Sequence, residues 1–90
     1  MHGVIRRGFA DLKHGQLHYR VSGQGPDVLL LHMTNLSSRA FSRVMPRLEG
    51  LRCWAPDLPG FGQSEALPGQ PEIRDFAHAI AEFMDAVGID

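Results

Sequence analysis

Residues 17–22 alternate in hydropathy, with Leu17, Tyr19 and Val21 on one side and His18, Arg20 and Ser22 on the other. A period of two is that of a half-buried strand. Residues 7–12 form a weaker strand candidate. Lys13-His14-Gly15-Gln16 between the two reads as a turn, so residues 7–22 predict an antiparallel hairpin. Gly23-Gln24-Gly25-Pro26 then breaks regular structure. Val28-Leu29-Leu30-Leu31 is a continuous apolar run, the pattern of a strand covered on both faces of a parallel sheet. His32-Met33-Thr34-Asn35 follow as a loop.

From there the period lengthens. Phe41, Val44, Met45 and Leu48 recur at helical spacing, Ser37 or Ser38 can cap that helix, and Gly50 ends it. Pro46 lies inside and removes one ladder bond, so a bend or an early stop is expected there. Residues 51–55 are a short apolar strand candidate. The last segment carries the clearest helical pattern, Ile73, Phe76, Ala77, Ile80, Phe83, Met84 and Val87, with Pro71 suited to its first turn and Gly88 just past its end. The element order is β-β-β-α-β-α without internal repeats, which belongs to an α/β sheet with a small antiparallel start.

Ninety residues suit one small domain, and a chain this short buries only about 60% of its unfolded surface. A net charge of −1 leaves no basic footprint for nucleic acid and no polybasic membrane patch. No apolar run approaches the roughly 18 residues of a membrane span, and no apolar stretch follows Arg6-Arg7 to make a secretory signal. Cys53 is single, sits in an apolar run and reads as a reduced core residue, compatible with a cytoplasmic location. His14 and His18 are four apart, but Gly15 intervenes and no Cys or carboxylate joins them at ligand spacing, so no metal site is expected.

The chemistry concentrates in Ala-Pro-Asp-Leu-Pro-Gly-Phe-Gly-Gln-Ser, residues 55–64. Pro56 and Pro59 remove backbone donors, and Gly60 and Gly62 can take positive φ, so a strand ends near Ala55 and the chain turns sharply. Asp57 is suited to accept N–H bonds from that turn. Gly62-Gln63-Ser64-Glu65-Ala66 superficially resembles a nucleophile motif. It lacks the strand before and the helix after that such an elbow needs, so Ser64 reads as a loop hydroxyl or a cap. His78, on the polar face of the last helix, has no base partner nearby in sequence and reads as solvated. Gly23-Gln24-Gly25 is not a dinucleotide fingerprint, and no phosphate loop is present, which makes a nucleotide-binding domain a weak reading.

Residues 28–32, the loop to Ser37-Ser38, Phe41 through Leu48, and the Asp57 to Ser64 turn together resemble the N-terminal part of an α/β-hydrolase. The resemblance covers nearly the whole chain. It implies an incomplete α/β-hydrolase sheet in which an antiparallel β-hairpin is followed by two parallel strands with two helices. Residues 1–90 are then a single partial domain. By the same resemblance the backbone N–H of Thr34, with Met33 beside it, lines an oxyanion hole, where a donor must aim at the oxygen that gains charge. His32, Asn35, Asp57, Gly60, Gly62 and Ser64 then shape the surrounding loops. The family usually has His-Gly where this chain has His32-Met33, and Met33 lacks the φ freedom of glycine.

The family's nucleophile, acid and histidine follow later in chain order, and none of them is on this chain. His32 is not the catalytic histidine. The chain is therefore expected to be the N-terminal segment of an esterase-like hydrolase acting on an ester or similar small-molecule bond, without cofactor and inactive alone. The alternative is a truncated, inactive fragment or an interaction module. The implied partners are a small-molecule substrate and the rest of the hydrolase domain, which would cover the edge of strand 28–31. No nucleic acid or membrane partner is implied. Alone, the chain is expected to be poorly soluble or partly molten.

Overall fold

A computed structural model describes residues 4–89 of the chain. Four strands, β1 (Arg6–Asp11), β2 (Gln16–Ser22), β3 (Asp27–Leu29) and β4 (Arg52–Pro56), form one sheet in the order β1-β2-β4-β3. β1 and β2 pair antiparallel, with Phe9 opposite His18, and close through a turn in which Leu12 and Gly15 exchange backbone bonds. β2 pairs antiparallel with β4, and β3 runs parallel to β4. The sheet is thus mixed and open, as the resemblance implies.

The parallel pair is fixed at its start by Asp27, opposite Arg52 in register. Its carboxylate accepts both Arg52 Nε–H and Nη2–H, and Oδ1 also accepts Trp54 Nε1–H at 2.9 Å. The Arg52 guanidinium lies 5.3 Å from the Trp54 ring centroid, and together these donors hold the Asp27 carboxyl below the usual carboxylate range. β3 is shorter than the apolar run 28–31. Leu30 adds one more bond to Trp54 O at 2.8 Å, after which Leu31 leaves the sheet half exposed.

One face of the sheet is covered by the α-helix α1 (Ile73–Val87). Its start is a capping box between Glu72 and Asp75, so Pro71 lies just outside the helix rather than in its first turn. Its end is a left-handed Gly88 at φ 83°, after which Ile89 N–H reaches Met84 O at 2.8 Å and its side chain is buried. Ile80 and Phe83 pack against Leu17, Ala10 and Trp54. Ile73, by contrast, is 88% exposed. It occupies the first turn, short of the sheet, and drops out of the apolar stripe that its spacing predicts.

The other face is covered by Met45 with Phe41 and Leu48, packed on Cys53 and Ala55. The helix expected over 38–49 is here two single-turn 3₁₀ segments, Ser38–Phe41 and Met45–Arg47, joined by a turn. The N–H groups of Ala40, Ser42, Val44, Arg47 and Leu48 each bond the carbonyl three residues back. Pro46 has no N–H to give to the carbonyl four residues back, and its ring crowds that carbonyl, so the tighter winding wins. Ser37 caps the first segment, accepting Arg39 N–H at 3.2 Å. Burial pushes the Cys53 thiol up, in keeping with a core cysteine.

The outer edge of β3 has no neighbour among the described strands. An apolar edge is a template for pairing. We expect the 90-residue chain to self-associate as its concentration rises, read by sedimentation velocity. A monomer with a sharp melt at every concentration would count against this.

Candidate functional site

The carboxyl ends of β3 and β4 lie side by side, and the loops that leave them meet there. After β3 comes a β-turn over residues 33–36, closed by Leu36 N–H on Met33 O at 3.1 Å. Thr34 and Asn35 hold its central positions, and Asn35 takes φ 69°, a left-handed value that asparagine tolerates. The N–H groups of Met33 and Thr34 have no hydrogen-bond partner among the described residues, and the Met33 side chain is 75% exposed.

His32 staples this turn to the one after β4. Its Nδ1–H donates to Met33 O at 2.7 Å, and its Nε2 accepts Leu58 N–H at 2.9 Å. One tautomer satisfies both bonds, and both nitrogens are engaged. It is 6% exposed and meets the Phe61 ring edge-on at 5.7 Å. The ring thereby ties the turn after β3 to the start of the turn after β4.

Asp57 is the second staple and is 1% exposed. Oδ1 accepts Ser38 N–H at 2.6 Å, while Oδ2 accepts Gln63 N–H at 2.9 Å and His18 Nδ1–H at 2.8 Å. The Asp57 N–H itself goes to His18 O. Burial alone would raise the Asp57 pKa. The Gln63 N–H, the Ser38 hydroxyl and N–H and the His18 ring outweigh that and hold the carboxyl below the usual range. Arg20 Nη1–H donates in turn to Ser38 Oγ. Ser64 completes the knot as a loop hydroxyl, accepting His18 N–H at 2.9 Å and donating to Asp57 O at 2.7 Å.

Gly62 is required by this knot. At φ 54° a Cβ there would be strained, and it would fall inside van der Waals contact of the Asp57 carboxylate. Gly60 serves differently, at φ 85°, with its N–H on Glu65 O, away from the carboxylate.

The structure therefore gathers His32, Met33, Thr34 and Asn35 at one sheet edge, with Asp57, Gly62 and Ser64 directly behind them and Gly60 in the outer turn. It adds three residues that the sequence did not single out for this edge: His18, Arg20 and Ser38. The alternation of β2 predicts an outward polar face, yet His18 and Ser22 are buried; the 57–64 turn lies over His18, and Ser38 meets Arg20 next along that face. An open depression of about 470 Å³ adjoins the site, lined by Asn35, Leu36, Ser37, Arg39, Ala40 and Gly62. His78 is exposed, as expected. Among the described residues no cluster of metal-ligating groups occurs, and no helix is long and apolar enough to cross a membrane.

A mixed sheet of order 1-2-4-3, with two loops stapled together at the carboxyl edge of its parallel pair, defines an α/β protein with a candidate site at that edge. The chain belongs to the alpha/beta hydrolase fold family, which residues 26–90 match. It is 38% identical over 82 residues to haloalkane dehalogenase 2 of Mycobacterium tuberculosis (strain ATCC 25618 / H37Rv), covering 89% of this chain and 29% of that protein. It is 41% identical over 54 residues to the pimeloyl-[acyl-carrier protein] methyl ester esterase of Shewanella sp. (strain MR-7), covering 60% of this chain and 20% of that protein. Among solved structures, the epoxide hydrolase CorEH without ligand superposes with a TM-score of 0.88 at 30% identity, over 94% of this chain and 30% of that one. The chain thus spans under a third of the length of these relatives.

Proposed function

We propose that this chain supplies the oxyanion-hole side of a hydrolase active site that cleaves an ester or similar small-molecule bond. The observation that carries the reading is the Thr34 N–H, which lacks a partner among the described residues and sits on a turn anchored at both ends by His32 and Ser38. A donor held in place before charge develops spends nothing on reorganisation when the oxygen becomes negative. Met33, beside it, offers a second N–H without a partner among the described residues and an exposed apolar side chain. The relatives' names span carbon–halogen, ester and epoxide chemistry, and the donor loop alone does not choose among them. The open edge of β3 would be covered by the rest of the hydrolase domain.

Two measurements test this. The 90-residue chain is expected to show no turnover of an activated ester above buffer. The coding sequence read past the Asp90 codon is expected to give an apolar strand and a Gly-x-Ser-x-Gly elbow. In that longer protein Thr34→Pro is the informative variant. Proline suits the second position of such a turn and deletes the N–H together with the threonine side chain, so kcat should fall about 10²–10³-fold relative to Thr34→Ala, which keeps the N–H. A stop at that codon would favour the inactive interaction module instead, and an unchanged kcat would remove Thr34 from the oxyanion hole.

A further inference from the structure

We propose that His18 is a positioning residue for the loop 33–38 and acts on it through Asp57. This deepens the reading of Thr34 as a donor and rests on it. The path has two bonds, from His18 Nδ1–H to Asp57 Oδ2 at 2.8 Å and from Ser38 N–H to Asp57 Oδ1 at 2.6 Å. One carboxylate thus couples β2 to the far end of the loop that presents Thr34. Because its two oxygens share a plane, a donor on Oδ2 fixes the direction in which Oδ1 meets Ser38.

The His18 ring is built to hold that direction. It is 0% exposed, its centroid lies 5.1 Å from the ring of Phe9, and the His18 backbone N–H is tied to Ser64 Oγ. Its Nε2 is buried and has no partner among the described residues. Among the described residues, the only polar contact of the ring is therefore the one to Asp57. A residue needed only to fill this space would not have to be a donor, and a buried nitrogen without a partner carries a cost. The geometry assigns the compensating role to Nδ1.

Hydrogen exchange, resolved to single residues in dilute solution, tests this on the chain itself. His18→Leu keeps bulk and removes the donor. Exchange at the Ser38 and Gln63 amides should quicken about ten- to a hundredfold, the worth of a bond to a charged group. The Leu30 amide, bonded to Trp54 O between β3 and β4, should change little. His18→Asn places a side-chain N–H near the position of Nδ1 and should restore protection at Ser38. Unchanged exchange at Ser38 in His18→Leu overturns the proposal. So does His18→Asn exchanging there as fast as the leucine variant, and that arm decides alone if the leucine variant loses protection everywhere. The result does not depend on ester turnover, so an irrelevant Thr34 and an irrelevant His18 are told apart.

Discussion

Asp57→Leu is expected to remove about 3–5 kcal/mol of stability, because it deletes the charge that buried donors converge on. Ser38 N–H, Gln63 N–H and His18 Nδ1–H would all lose their acceptor at once. Small domains hold only about 5–15 kcal/mol in total, so the variant should sit close to unfolding, read from its urea midpoint. Asp57→Asn should cost less, since its amide oxygen still accepts one of the bonds. The same carboxylate sets a pH dependence. Its folded pKa lies below the unfolded one, so its contribution is fully present above the unfolded value of about 3.9 and is lost as pH falls through the folded pKa. The midpoint of the unaltered chain should therefore drop in acid, and Asp57→Asn should flatten that drop. An equal acid slope in both would sink the assignment.

Phe83→Ala is the second large effect. Phe83 is 0% exposed, and its ring lies 5.4 Å from Tyr19 and 6.3 Å from Trp54. Removing a fully buried ring leaves a cavity at the junction of α1 with β2 and β4, at about 3–5 kcal/mol. Few other α1 side chains reach the core, chiefly Ala79 and Ile80, so the helix should detach before the hairpin opens. Circular dichroism would then show helical signal lost at lower denaturant than strand signal. A single coincident transition, little shifted from that of the unaltered chain, would contradict the expectation. Phe76→Ala, at a half-buried position, should be far milder.

The sheet was legible because its signals are local. Alternation in β2, an apolar run in β3 and a Pro/Gly stop after β4 each need only a few neighbouring residues. The Asp57 turn was legible for the same reason, since Gln63 is six positions away. His18 was not, because its partner Asp57 lies 39 positions on and strand periodicity alone puts the ring in water. The tighter winding between Ser38 and Arg47 is a middle case: Pro46 announces a disruption, but whether it bends an α-helix or gives 3₁₀ turns depends on what the loop ends are tied to. Ile73 shows the reverse error, a residue in phase with the stripe but one turn too early to meet the sheet. For the site, the loop could be found by resemblance, whereas its anchoring through His32 and Asp57 needed three dimensions.

The chain's single indole, Trp54, packs against both the Tyr19 and the Phe83 rings, while its N–H is held by Asp27 and Arg52 lies on its face. That placement makes the molecule its own fluorophore-labelled sensor. Undocking of the helix would free one side of the indole, and separation of the parallel strands would strip away the other. Emission wavelength and quenching by iodide can therefore follow the two events in native material, with no dye attached.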